Sequence, residues 1–501
     1  METALQKLTK HLGEINDLES INALLEWDQT TYMPPQGATA RGRQMATLST
    51  VVHTKRTDPA IGKLLEKLET YESQLPYESD EASLIRVARR NYEQSSRIPS
   101  DFIAEFSNHM SDSYTAWLAA REANDFTVVQ PYVEKTLELS RQRSAFFPDH
   151  EHMIDPLIDL SDYGMTAATI RSLFAELRHQ LVPMVQAIRE QPTTDDSCLH
   201  QDFPEDQQLA FGNAVAQQLG YDFERGRQDK TVHPFMTKFS LGDVRITTRV
   251  DEHYLSEGLF STIHEAGHAM YEQGINIALE GTPLAEGTSS GVHESQSRLW
   301  ENVIGRSESF WSHFYPKLQA TFPTQLGGVP LTTFYHAINK VMCSLIRTDA
   351  DEVTYNLHAM LRFDLEIELL EGTLSVADLP EAWNARYQSD LGVVPPDDRT
   401  GILQDIHWYM GYIGGAFQGY TIGNILSAQF FEAAQKAHPS ITAEITQGEF
   451  GTLHNWLTTH IYTHGRKFTA DEIVEHATGV PLSIEPYMHY LRSKYEKLYT
   501  L

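Results

Sequence analysis

The stretch His264-Glu265-Ala266-Gly267-His268 constrains this chain more than any other. In an α-helix, residues i and i+4 lie on one face. His264 and His268 therefore offer two imidazole nitrogens to one cation only if the segment is helical. Glu265 then sits beside that cation, placed to take a proton from water. The other positions of 261–273 include Ile263, Ala266, Gly267, Ala269 and Met270, as expected of a buried helix, and Gly274 is a natural stop.

Alone, the pattern is weak. With 22 His in 501 residues, H-E-x-x-H arises by accident in roughly one such chain in ten. A second feature strengthens it. His293-Glu294-Ser295 opens another helix-like run, 292–304, with a stop near Gly305. A Glu on a following helix completes a His₂Glu site that leaves a fourth position open. The Ala-Met-Tyr-Glu-Gln-Gly after His268 holds no third His, which argues against the metzincin arrangement. Glu294 also suits a helix start, where the dipole favours a carboxylate. Glu272, Glu280 and Glu286 are rival ligands, with Glu286 ranked second because its surroundings are Gly-rich. These residues imply the chemistry of a zinc peptidase.

Composition bounds the partners. Lys and Arg number 39 against 68 Asp and Glu, a formal charge of −29. Such a chain suits neither nucleic acid nor an anionic membrane surface. Two Cys, Cys198 and Cys343, make no disulfide framework and suit the cytoplasm. The start, Met-Glu-Thr-Ala-Leu-Gln-Lys, lacks the basic and apolar regions of a secretory signal. No apolar run approaches the roughly 18 residues of a membrane span. Length alone suggests about three domains. No linker, repeat or low-complexity run supports a split, so 1–501 is expected to form one catalytic domain.

Helical periodicity dominates. The expected helices cover 5–27, 40–53, 78–94, 101–122, 128–147, 167–190 and 203–219, the last ending at Gly220. Residues 331–372 read as mostly helical, in one or two pieces. Helices at 408–437, 441–462 and 484–499 follow, and Thr469-Ala-Asp-Glu472 reads as a capping box. One region differs. Residues 236–250 alternate and are β-branched, which predicts strand just before the metal helix. Such a strand either pairs with an extended peptide substrate or forms a small structural hairpin.

With those residues in place, the chain resembles the carboxypeptidase Taq family, a branch of the gluzincin metallopeptidases. Five motifs carry the resemblance in the family's order. They are Asp243-Val-Arg245-Ile-Thr247, the zinc helix His264 to His268, His293-Glu294-Ser295-Gln296, Arg347-Thr-Asp-Ala350-Asp351-Glu352-Val353, and Gly401-Ile-Leu-Gln404-Asp405-Ile-His407-Trp408. Glu26-Trp27-Asp28 with Met33-Pro34 also looks familial. The resemblance implies a mostly α fold like that of neurolysin and angiotensin-converting enzyme. Two helical walls would flank a deep central cleft, with a small β-sheet near the metal helix. It further implies release of single residues from peptide C-termini with broad side-chain tolerance, Zn²⁺ or Co²⁺ as the metal, one per chain, and a homodimer.

Roles follow from chemistry and resemblance together. His264, His268 and Glu294 are the expected metal ligands, and Glu265 the base. An enzyme acting on chain ends needs a fixed, bidentate cation for the terminal carboxylate, which means Arg. The resemblance points to Arg347. Its plainer role is a buried pair with Asp349 or Asp351, and Arg245 and Arg298 are alternatives. The oxyanion needs a donor besides the metal. His407 and Tyr420 are the candidates, with Tyr409 and Tyr412 competing and core packing the plainer role for most of these aromatics. Asp351 and Glu352 are candidate partners for the outer nitrogens of the ligand imidazoles. Asp243 and Thr247 are expected to hold the strand in place. Two other functions compete. One is a zinc oligopeptidase cutting internal bonds, which would also cleave amidated peptides. The other is a helical scaffold with a vestigial site, disfavoured because metal binding alone needs no Glu265.

Overall fold

The computed structural model describes residues 3–501. Helix accounts for 67% of the chain and strand for 3%, so the mostly α class holds. Local chemistry explains most helix ends. Helix Ala4–Thr31 starts on a Thr3 capping box, and Ala470–Thr478 on the expected one at Thr469. Helix Glu205–Leu219 stops at Gly220, whose φ of 126° is open only to glycine.

The buried side chains fall into two clusters. A large one runs from Ala116 to Tyr499 and encloses the metal helix. A smaller one joins the first helices, through Leu8, Leu12, Ile61, Leu65 and Ile85, to Leu241, Leu279 and Leu284 of the body.

The strand region is a sheet of three: β1 (Gln228–Lys230), β2 (Met236–Ser240) and β3 (Asp243–Thr248), in the order β1-β3-β2. The single expected strand is therefore a hairpin that turns at Leu241-Gly242, and β1 pairs parallel to β3 from an earlier segment. Since β3 is central, only the outer edges of β1 and β2 remain to pair with anything else. Asp243 and Thr247 hold the sheet as expected. Asp243 accepts two 2.8 Å hydrogen bonds from Arg245, whose guanidinium stacks on Trp27 of the first helix at 4.4 Å. Thr247 Oγ1 accepts from the Phe235 amide at 2.9 Å.

Elsewhere the chain is more broken than periodicity predicts. Residues 331–372 form two helices, as the sequence allowed, Leu331–Ile338 and Tyr355–Glu371, but the irregular segment between them, which carries Arg347, is longer than a simple break. The run 408–437 splits into His407–Met410 and Gln418–Ala437 around a glycine-rich loop. The run 441–462 splits into Ile441–Gln447 and Gly451–His460. Helices Pro59–Glu72, Glu308–Thr321 and Leu379–Asp390 carry prolines and were not expected.

Candidate metal centre and active site

Helix Leu255–Gly274 carries His264, Glu265 and His268, and helix Ser290–Arg298 carries Glu294. The two helices touch at Gly267. A Cβ there would lie 2.7 Å from Ser297 Cα and 2.8 Å from the Gln296 carbonyl, so only glycine lets the backbones approach this closely. Helix Gln418–Ala437 closes on the other side. A Cβ at Gly423 would lie 2.5 Å from Glu294 Cγ. Three backbones are thus drawn together around one carboxylate.

The result is a compact set of candidate metal ligands. His268 Nε2 is 3.3 Å and His264 Nε2 3.7 Å from Glu294 Oε2, and one donor atom of each residue lies within 4.8 Å of the others. Two donors about 2.05 Å from a tetrahedral Zn²⁺ lie about 3.3 Å apart, so these separations fit such an ion. Glu272, Glu280 and Glu286 are engaged elsewhere. Glu272 meets His293 and Lys238, Glu280 accepts from the Leu241 amide, and Glu286 pairs with Arg466.

The outer nitrogens of the imidazoles have partners that sequence did not suggest. His264 Nδ1 is 2.8 Å from Glu301 Oε2. His268 Nδ1 is 2.6 Å from His293 Nδ1, and His293 Nε2 is 2.9 Å from Glu272 Oε1. If His268 presents Nε2 to a metal, its Nδ1–H donates to His293, which in turn donates to Glu272. Glu272 also accepts from Lys238 Nζ at 2.7 Å. Asp351 and Glu352 do not fill this role. Asp351 caps the backbone amides of Val353 and Thr354, and Glu352 is buried against Lys494 and Tyr495. A signal for Glu301 existed, because it lies two turns beyond Glu294 and shares its face. The π-helical turn Leu299–Ile304 adjusts that alignment.

Arg298 binds the centre together. Its Nε donates to Glu294 Oε1 at 2.7 Å and its Nη1 to Glu301 Oε2 at 3.2 Å. Arg245 likewise holds a carboxylate, that of Asp243. Burial opposes charge on Glu294, but Arg298 and His264 outweigh it and hold the carboxyl well below its usual range. Burial likewise opposes charge on Glu301, which Arg298 and then His264 hold down to about 2. His264 is also disfavoured as a cation by burial, yet Glu294 and Glu301 push its pKa up. His268, whose outer partner is an imidazole rather than a carboxylate, is pushed down by burial to about 4. Glu265 differs from the other carboxylates. It is buried, makes no hydrogen bond among the described residues, and is raised by burial to about 7.

A second cluster adjoins the first through Tyr355, which stacks under Arg298 at 4.5 Å. Arg347 Nη1 donates to Tyr355 Oη at 2.7 Å. Arg347 also forks onto Asp405, with Nε at 3.1 Å and Nη2 at 2.8 Å from Oδ1, so its carboxylate partner is neither Asp349 nor Asp351. Arg362 Nε takes the other Asp405 oxygen at 2.5 Å. Two guanidinium groups thus share one carboxylate, and one positive charge is left over. Tyr420 lies 5.0 Å below Arg347, and its hydroxyl is 3.2 Å from His407 Nε2. Tyr409 is buried against Trp117, and Tyr412 stacks on Phe106 at 4.0 Å, so both competitors pack away from this pair. His233, unremarked in the sequence, adjoins the cluster. Burial lowers its pKa first, followed by the charges of Arg347, Arg249 and His407.

Comparisons with known proteins place the whole chain. The family model described as Carboxypeptidase Taq (M32) metallopeptidase matches residues 7–495. "Thermostable carboxypeptidase 1" of Thermus thermophilus is 40% identical over 99% of this chain and 99% of that protein. "Carboxypeptidase 1" of Bacillus subtilis is 37% identical over 98% of this chain and 97% of its own length. The crystal structure of the M32 carboxypeptidase from Deinococcus radiodurans R1 superposes with a TM-score of 0.97 at 50% identity, covering 99% of this chain and 100% of that one. Sequence, fold and site together make this chain a member of the carboxypeptidase Taq (M32) family of metallocarboxypeptidases.

Proposed function

We propose that this metallocarboxypeptidase removes residues one at a time from peptide C-termini, with broad side-chain tolerance, at a Zn²⁺ site made by His264, His268 and Glu294. The observation that carries this is the convergence of those three donors beside an unpaired, buried Glu265. Zn²⁺ or Co²⁺ held there would acidify water and polarise a carbonyl. Glu265 accepts the proton of the attacking water, and its position near neutrality suits it to hand that proton to the leaving amine. Arg347 takes the terminal carboxylate, supported by the surplus positive charge it shares with Arg362 over Asp405. Tyr420, aligned by His407, donates to the developing oxyanion. Burial pushes the Tyr420 hydroxyl well above its ordinary value, so it stays a donor at working pH.

The rest of the proposal concerns the whole chain. It acts as one catalytic domain with two helical walls, as a homodimer, in the cytoplasm. The family resemblance supports the dimer, and the free thiols of Cys198 and Cys343 suit a reducing compartment. Among the described residues, no helix is long and apolar enough to cross a membrane.

The test uses metal-loaded protein and one mixed-sequence peptide with either a free or an amidated C-terminus. Products are followed by mass, with a chelated control. A ladder of single losses from the free form only, abolished by chelator, is expected. Internal cuts in both forms would overturn the exopeptidase assignment and the role of Arg347.

A further inference from the structure

A cavity of about 540 Å³ lies among the N-terminal helices, apart from the ligands and bases described above. Glu19, Arg56, Asn91, Arg143 and Arg466 line it. Its sign is opposite to that of the molecule. The chain carries −29, yet three arginines face this space with one carboxylate, Glu19. Arg56 pairs with Glu19 at 2.5 Å, and Arg466 pairs with Glu286 at 3.3 Å.

Arg143 is left over. It is only 4% exposed, and its Nη1 is buried with no hydrogen-bond partner among the described residues. Its neighbours are rings, with Phe147 at 4.9 Å and Tyr412 at 6.0 Å. Burial lowers its pKa, and the hydroxyl of Tyr412 is the only group opposing that shift. A second arginine, Arg90, shows the same lack nearby. Its Nε and Nη2 are buried without partners, and Arg466 adds to the positive field on it. Buried guanidinium groups are ordinarily paired, because an unmatched buried charge is costly. A site that keeps one unpaired is built for an anion that arrives from outside.

We propose that this cavity is a carboxylate-binding subsite anchored by Arg143. The carboxylate comes either from an acidic side chain of the peptide substrate or from a free small dicarboxylate. The volume exceeds that of a lone monatomic ion, and the polar Asn91 and Asn22 on its wall offer further donors. The planar fork of Arg143 matches a carboxylate in two-point contact.

The experiment uses the metal-loaded full chain, wild type and R143M. Arg143 makes no hydrogen bond to lose, so R143M is expected to fold with an unchanged or higher Tm. R466M serves as the second variant. In the first arm, succinate is titrated by calorimetry. Loss of the charged donor is expected to weaken binding roughly tenfold or more. In the second arm, peptides that differ only by Glu or Gln upstream of the scissile bond are compared by KM. A Glu preference that R143M and R466M abolish assigns the site to substrate. Succinate binding lost in R143M, with no Glu preference, assigns it to a free anion. Equal succinate affinity in wild type and R143M, or no binding, together with no Glu preference or one that R143M leaves intact, overturns the proposal. The catalytic assignment is read separately, from cleavage of neutral peptides.

Discussion

Glu265 is a buried carboxylate of this centre with no hydrogen-bond or ion-pair partner among the described residues, and its isolation has two measurable consequences. E265Q keeps the shape of the side chain and removes the proposed base. Activity is expected to fall roughly 10²- to 10⁴-fold, with metal content by mass spectrometry unchanged. The second consequence is a pH dependence. Burial raises the folded-state pKa from 4.5 to about 7. Between those values the folded metal-free protein binds the proton that the unfolded chain releases. Stability from this group is full below 4.5 and is lost as the pH rises through about 7. Chelated wild type should therefore lose more Tm than E265Q between pH 5 and 7.5, and identical losses would remove Glu265 as the titrating group. His293 is the second residue whose role geometry isolates. It touches His268 through Nδ1 and Glu272 through Nε2. H293F removes the acceptor that orients His268. Metal affinity, read by competition with a fluorescent chelator, should drop roughly 10- to 100-fold, while the helical circular dichroism signal stays intact.

Between elements, the centre depends on close helix crossings that tolerate no side chain. G267A would place its Cβ against the backbone of Ser297, an immovable neighbour. The expected cost is about 1–3 kcal/mol, and metal affinity should fall with it, because His264 and His268 flank the contact. G423A would press on Glu294 itself, so metal titration should register it at least as strongly as thermal melting does. If both variants bind metal like wild type, the crossings are not what sets the ligand spacing. The metal helix and its partner were readable in sequence because their spacing is helical and their filler is small. Other elements were not. Pro59 sits in the first turn of its helix behind the Asp58 cap, where proline starts a helix rather than breaks it. Pro316 lies inside a helix whose aromatic face, from Phe310 to Leu318, is fully buried. The segment around Arg347 has no periodic signal, since long-range bonds to Gln404 and Asp405 fix it. Periodicity reports local geometry and is silent where distant side chains set the backbone.

At the scale of the molecule, the question is whether the metal holds the fold or only the activity. The buried charges answer it. Glu294 is matched by Arg298, Glu301 by Arg298 and Arg306, and Glu272 by Lys238, with no cation needed. The ligand helices are also packed into the large core independently of the ligands, through Ile263, Ala266, Ala269, Met270, Val292 and Leu299. Removing metal therefore leaves a charge-compensated, packed interior. Chelated protein should keep its helical circular dichroism and lose only the stabilisation of bound ligand, about 4 kcal/mol at a thousandfold excess over Kd. That contrasts with a structural zinc site, whose loss unfolds the domain. Acid should reverse the binding before it unfolds the chain. Glu294 and Glu301 outweigh burial and raise the pKa of His264. The ring must lose its proton to bind, so below that pKa metal affinity should fall about tenfold per pH unit. Proton release on metal addition, measured by titration in two buffers of different ionisation enthalpy, checks this. Release that is absent at every pH below neutrality would show that His264 enters the site already neutral. Unfolding on chelation at neutral pH would show instead that the arginine matching of the carboxylates does not hold the interior by itself.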